Sequence, residues 1–190
     1  MDLSKMNRPA LILVDIQKGF DDVEYWGGQR NNLFAEIHAS HILELWRVKG
    51  LPLFHIQHCS TNPASLLHET NEGNAFKDEV APTRDEPVIK KRVNSAFIGT
   101  DLKERLDRDG VFQLVIVGLT TDHCVSTTTR MAGNFGFDTY LVADATATFS
   151  KRGINGENYP AELIHATALA SLKDEFATII TAAALAQIME

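Results

Sequence analysis

Cysteine is scarce in this sequence. Cys59 and Cys124 are the only two in 190 residues. They lie far apart and show no CxxC spacing, which argues against a disulfide-stapled scaffold and against a zinc knuckle. Basic charge is also short: 18 Lys and Arg stand against 25 Asp and Glu, for a net charge of −7. With no basic run, neither a nucleic-acid surface nor an anionic-membrane surface is expected. No apolar stretch approaches the roughly 20 residues that span a bilayer. Residues 1–9 (MDLSKMNRP) lack an apolar signal core, so the expectation is a cytoplasmic protein whose two thiols are reduced. Repeats and low-complexity segments are missing as well.

What is present is an ordinary globular composition, 44% hydrophobic and 23% charged, in a chain of one-domain length. Residues 1–190 read as a single domain. Short apolar runs recur at residues 10–16 (ALILVDI), 51–58 (LPLFHIQH), 88–89, 111–117 (VFQLVIV), 139–143 (TYLVA) and 176–180 (FATII). Such runs suit parallel strands covered on both faces. Helical periodicity lies between them. Ile42, Leu45 and Trp46 share a face before Gly50, and Leu102 and Leu106 share one before Gly110. Val125, Thr128, Thr129 and Ala132 form a third face, and Ala161, Ile164, Ala168 and Leu172 a fourth. Residues 182–189 form a terminal helix with Thr181 placed to cap it. The prediction is an α/β fold of three layers, α/β/α, with six mostly parallel strands in a Rossmann-like arrangement. Residues 59–87 hold four prolines or glycines in 29 positions and no period. A segment that long is expected to cross the mouth of a site.

Ligands of open α/β sheets bind beyond the carboxyl ends of the strands, so the strand-ending residues carry the chemistry. Asp15 ends the first run, His55 and His58 the second, and Lys90 and Lys91 the third. The fourth runs into GLTTDHCV, residues 118–125. Cys124 should fall in the first turn of the following helix, capped by Thr120, Thr121 or Asp122, where the dipole favours a thiolate. A lone cysteine is otherwise a small buried hydrophobe, so its partners matter. Asp15 at the end of a buried strand needs a partner of its own. It suits a general base for the thiol proton, and a lysine at the third strand end supplies the opposite charge. At this point either Lys90 or Lys91 serves.

These residues resemble the isochorismatase-like cysteine hydrolase family. The matching segments are LVDIQKGF (13–20), KRVNSAFIGTDL (91–102), GLTTDHCVSTTTRMAGNFGF (118–137) and VADATATF (142–149). The resemblance implies a triad of Asp15, Lys91 and Cys124. The family lysine stands four residues before the serine of S-A-F, here Ser95, which selects Lys91 and leaves Lys90 as the fallback. It implies a non-proline cis peptide between Leu119 and Thr120, with the Thr120 and Cys124 amides forming an oxyanion hole. The implied reaction is hydrolysis of a small amide, ureido or related C–N bond through a thioester. Isochorismatases proper resemble the chain but lack the cysteine. Nicotinamidases carry a D-x-H metal motif after the second strand, whereas this chain reads HIQHCS, so no metal and no other cofactor is expected. The partners implied are a small-molecule substrate and further copies of the chain, in a dimer or tetramer.

Gln17, Phe20, Trp26, His58 and Asn94 are the candidate substrate contacts. Phe97 reads equally as core. Thr146, Thr148, Lys151 and Arg152 follow the fifth strand and are placed to reach the site or a neighbouring subunit. Cys59 is the rival nucleophile. The β-branched run 126–130 (STTTR) makes an unusual helix, which suggests that packing, including a subunit interface, holds it. Two other readings are a small-molecule binding protein without turnover and a redox-active thiol protein. Residues 21–32 and 60–86 are expected to set specificity, with no pattern that names a ligand.

Overall fold

The computed structural model describes residues 6–189. The reading of the N-terminus falls largely on residues 1–5, which lie outside the described residues. Five strands alternate with helices: β1 (Ala10–Val14), β2 (Leu53–His58), β3 (Val88–Lys91), β4 (Gln113–Leu119) and β5 (Asp138–Ala147). A ribbon of β6 (Lys151–Arg152) and β7 (Asn158–Tyr159) follows, then β8 (Thr178–Ile180). The six long-range strands form one sheet in the order β3-β2-β1-β4-β5-β8. Every pairing in it is parallel. Order reverses between β1 and β4, and this is where an open parallel sheet offers its crevice.

The apolar runs explain the layers. In β1, Ile12 and Val14 face one core while Leu11 and Leu13 face the other, as period-two side-chain placement requires. Helices α3 (Leu102–Arg108), α4 (Ser126–Asn134) and α5 (Ala161–Leu172) cover the first face. Helices α2 (Ala35–Lys49) and α6 (Ala182–Met189) cover the second. A single turn, α1 (Val23–Trp26), sits in the loop after β1. Gly50 ends α2 at φ 62°, with its amide donating to Arg47 O and that of Leu51 to Trp46 O, a left-handed stop. Thr181 Oγ1 accepts from the Ala184 amide at 3.2 Å, capping α6.

Three elements differ from the sequence reading. The β6/β7 ribbon is too short to leave a periodic trace. β5 extends to Ala147 because its register against β4 shifts between Ile116 and Gly118. Residues 59–87 are held by two 3-10 turns, Glu72–Asn74 and Asp78–Val80, around the buried Asn74. The Asn74 side-chain amide donates to His58 O at 2.9 Å and Leu67 O at 2.8 Å, tying this segment to the end of β2.

Candidate active site

Four strand ends build the site. β1 stops where Asp15 turns to φ 51°, a left-handed conformation that aspartate tolerates better than most residues. Asp15 is held in the sheet by its amide, which donates to Ile56 O at 3.0 Å. On the next strand Gly118 has φ +129°, and a Cβ there would lie 2.0 Å from Val14 O. Only glycine lets β4 approach β1 this closely. On the other side His58 and Lys91 are register partners at the ends of β2 and β3. After β4 the Leu119–Thr120 peptide is cis. The chain then makes a π-helical turn, Thr121–Val125, which carries Cys124.

Asp15 and Lys91 are buried. Lys91 Nζ donates to Asp15 Oδ2 at 2.6 Å, to Val93 O at 3.2 Å and lies 3.1 Å from His58 Nδ1. Cys124 also lies within reach of the same ammonium. Asp15 Oδ1 is buried with no hydrogen-bond partner. A carboxylate oxygen of Asp15, a ring nitrogen of His58 and Cys124 Sγ all lie within 4.8 Å of one another. An unpartnered carboxylate oxygen beside a thiol is a proton acceptor in place.

The electrostatics correct one expectation. Cys124 was expected to ionise readily at a helix start. Instead burial, then the Asp15 carboxylate, push its thiol far up, and Lys91 offsets them only in part. The expected cap is missing too, since no side chain caps this turn. Thr121 Oγ1 pairs with His165 Nδ1 at 2.8 Å, and Asp122 accepts from Thr148 Oγ1. The resting group is therefore a thiol that must hand its proton to a base. Burial pulls Lys91 down, but the Asp15 carboxylate leads the effects that outweigh it and leave Lys91 raised.

Asp15, His58 and Cys124 are also the residues that could offer ligands to a metal. They do not fit one. The Lys91 ammonium already sits 2.6 Å from the carboxylate and 3.1 Å from the imidazole, and a second cation would meet it at close range.

A cavity of about 150 Å³ opens on Cys124, lined by Phe20, Trp26, His58, Leu67, Asn94, Thr120 and His123. Phe20, Trp26, His58 and Asn94 are thus brought together. Trp26 is fixed by donating Nε1 to Gly19 O at 2.7 Å and meets the Phe20 ring at a tilt of 34°, centroids 4.6 Å apart. Leu67 comes from segment 59–87, so that segment does reach the cavity. Gln17 does not line it, contrary to expectation. Its amide donates to His58 O at 3.1 Å and Asn74 O at 2.8 Å, and its carbonyl accepts from His58 N at 2.9 Å. It acts from behind, as a brace on the His58 backbone. Leu67 and His123 were missed. His123 is adjacent to the cysteine in sequence and was readable; Leu67 was not, because nothing in a loop's sequence fixes its path. Phe97 is core, stacked on Phe137 at 6.0 Å. Lys90 is exposed toward Glu69 at 3.7 Å. Cys59 is buried, and burial leads the effects that raise its thiol. Thr146 bonds Ala143 O, and Lys151 Nζ lies 3.5 Å from Asp122 Oδ2. Lys151 and Arg152 instead line a separate depression that shares Trp26.

Comparison with known proteins places this arrangement. Residues 9–184 match the isochorismatase domain. The chain is 56% identical over 174 residues to the isochorismatase family protein YrdC of Bacillus subtilis, covering 92% of each chain. It superimposes on a crystal structure of an isochorismatase-family protein from Chromobacterium violaceum with a TM-score of 0.93 and 40% identity, covering 97% of this chain and 95% of that one. A more distant relative is the maleamate amidohydrolase of Pseudomonas putida, 28% identical over 72% of this chain and 71% of its own.

Proposed function

The chain belongs to the isochorismatase family and is a hydrolase, and we propose that it hydrolyses a small amide, ureido or related C–N bond through a thioester on Cys124. The observation that carries this reading is the Asp15 carboxylate within 4.8 Å of the half-buried Cys124 thiol, with Oδ1 unpartnered and Lys91 holding Oδ2. Asp15 takes the Cys124 proton as general base. The thiolate attacks the carbonyl carbon, and the oxyanion is held by the amides of Thr120 and Cys124, two residues that line the cavity. Asp15 then returns the proton to the leaving nitrogen. Water, deprotonated by the same carboxylate, cleaves the thioester. Lys91 pairs with Asp15 Oδ2 and holds the carboxylate in place. A cavity of about 150 Å³ lies below the roughly 300 Å³ at which drug-sized pockets begin, which fits a small substrate. A redox-sensing role is disfavoured, because sensor thiols have depressed pKa values and this one is raised. Homo-oligomerisation belongs to the same proposal. Leu163 on α5 and Leu33 and Phe34 before α2 are exposed apolar groups that a second copy would cover.

The test is ammonia release from a panel of small primary amides and ureido compounds, with intact-mass detection of an acyl adduct on Cys124. Turnover by wild type and none by Cys124→Ala supports the scheme. Full turnover by Cys124→Ala overturns it.

A further inference from the structure

The turn that carries Cys124 is held from outside. π-helical turns are rare and short, and no side chain caps this one. Two tethers reach it from elements that follow it in the chain. Asp122 accepts from Thr148 Oγ1, just beyond β5. Thr121, fully buried, meets His165 Nδ1 of α5 at 2.8 Å. Asp122 has further partners, since Lys151 Nζ and His123 Nε2 each lie 3.5 Å from its Oδ2. Thr121 has none: among the described residues His165 is the one group its hydroxyl bonds.

The far side of the ring fixes what it does. His165 Nε2 lies 3.4 Å from Asn32 Nδ2. That amide nitrogen carries two protons and accepts none. It spends both, on Ala143 O at 3.0 Å and Thr146 O at 2.8 Å. A proton on His165 Nε2 would face those N–H groups, so the ring proton sits on Nδ1 and is donated to Thr121 Oγ1. Burial leads in holding His165 below the ordinary histidine range, against the pull of Asp122, so the neutral ring keeps this one donor. Asn32 stands at φ 42°, a left-handed conformation that asparagine tolerates, and its two bonds tie it to β5. The ring is therefore a wedge, backed by Asn32 and pressed on Thr121.

His165 does not line the Cys124 cavity, so it acts through Thr121. The neighbouring Thr120 O accepts from the His123 and Val125 amides at 3.1 and 3.3 Å, one on each side of Cys124. We infer that His165 is a positioning residue: through Thr121 it holds the nucleophile turn down, so that the Cys124 thiol stays packed beside Asp15 and the Thr120 amide stays at the cavity. The effect on turnover rests on the amidase reading; the effect on the thiol does not.

The whole protein is alkylated with iodoacetamide at about pH 8, where thiols begin to ionise, and adducts on each cysteine are counted by peptide mass. Cys59 is buried and reports on the fold, Cys124 on the turn. Burial leads the effects that push the Cys124 thiol up. When His165→Ala lets the turn rise, Cys124 should alkylate about fivefold faster while Cys59 keeps its wild-type rate. The groups around the thiol, Asp15, His58, Lys91 and His123, are left in place. Thr121→Val cuts the other end of the same bond and should match His165→Ala, and the double variant should go no further than either. His165→Asn keeps an N–H near the Nδ1 position and should bring Cys124 back to within about twofold of wild type. A wild-type Cys124 rate in both single variants, or both cysteines speeding up together, overturns the inference. On the amide that wild type turns over best, His165→Ala should lower kcat about tenfold with KM within about twofold, and an unchanged kcat overturns it too. No turnover by wild type on any amide counts against the amidase reading, and the alkylation rates then decide alone.

Discussion

His55 and His58 lie on the same strand, three residues apart, and each touches a charged side chain. Their surroundings make them opposites. Three positions apart on an extended strand, they face different sides of the sheet. His55 is fully buried and its Nε2 lies 3.0 Å from Glu86 Oε2, with Phe76 edge-on to its ring. Beside an anion, that nitrogen must donate. His58 meets a cation and must accept. Glu86 is saturated: Arg47 gives it bonds of 2.7 and 2.9 Å and the Thr83 amide one of 2.9 Å. Asp15 keeps one oxygen unpartnered and faces a thiol. A closed network holds loop 81–87 against the sheet, and an open one has capacity left for chemistry. His55 Nδ1 is buried without a partner as well, so what marks the functional side is an unpartnered oxygen on a carboxylate that faces a thiol.

The largest effects should separate the two networks. Cys124→Ala is expected to lower kcat/KM on the order of 10⁴-fold or more with the fold intact, and Asp15→Asn about 10²–10⁴-fold with a loss of stability, because Lys91 is left buried without its counter-charge. Lys91→Met leaves the Asp15 carboxylate buried and unpaired. Loss of about 3–5 kcal/mol of stability is expected along with activity, read by urea unfolding. Wild-type turnover by Asp15→Asn would erase the distinction between the open network and the closed one.

Glu86→Gln should do the reverse, with turnover kept and about 1–3 kcal/mol of stability lost. The pH dependence has a definite sign. Hydrogen bonds from Arg47 lead the effects that hold the Glu86 carboxyl down at about 2, from 4.5. The stabilisation is therefore full above pH 4.5 and is lost as pH falls toward about 2. Wild-type Tm should decline over that window, and Glu86→Gln should flatten part of the decline. An unchanged slope would mean that this network does not hold the loop.

Much of this contrast was legible beforehand, and the limit is physical. Apolar runs and their glycine stops gave the sheet, because burial on both faces demands continuous hydrophobicity. Asp15 and Cys124 stood out as polar groups at the ends of such runs. The raised Cys124 thiol was not legible, because it depends on how far the turn after β4 sinks below the surface and on the distance to Asp15. Gln17 was misplaced for a related reason. A residue two positions after Asp15 suggests the pocket, but the turn at Asp15 sends its amide toward Asn74, a partner 57 residues away. Leu67 depends on the same loop, and loop paths are set by such distant hydrogen bonds.

Gly118 tests how closely the two halves of the sheet must meet. Gly118→Ala drives a methyl to 2.0 Å from Val14 O at a φ of +129°. Overpacking costs of about 1–3 kcal/mol then add to the strain of a left-handed residue. In a chain of this length each kcal/mol lowers Tm by roughly 2–4 °C, so a drop of several degrees is expected. Because Val14 precedes Asp15, turnover should fall beyond what the lost stability explains at 25 °C. A variant with wild-type kcat/KM would show that the position of Asp15 does not depend on this contact.

The smallest effect is the sharpest control. Lys90 and Lys91 are neighbours of identical chemistry on one strand, and the pleat sends them to opposite sides. Lys91 is buried on Asp15, whereas the Lys90 side chain is 60% exposed and 3.7 Å from a Glu69 carboxylate that is itself 43% exposed. Exposed pairs of that kind contribute at most about 1 kcal/mol and are screened by salt. Lys90→Ala should therefore leave kcat/KM within twofold of wild type and shift stability by less than about 0.5 kcal/mol. The same substitution one residue on removes the ammonium that orders both Asp15 and His58. If Lys90→Ala proved as damaging as Lys91→Met, the register of β3 against β2 would have to slip by one residue, and the assignment of the buried cation would change with it.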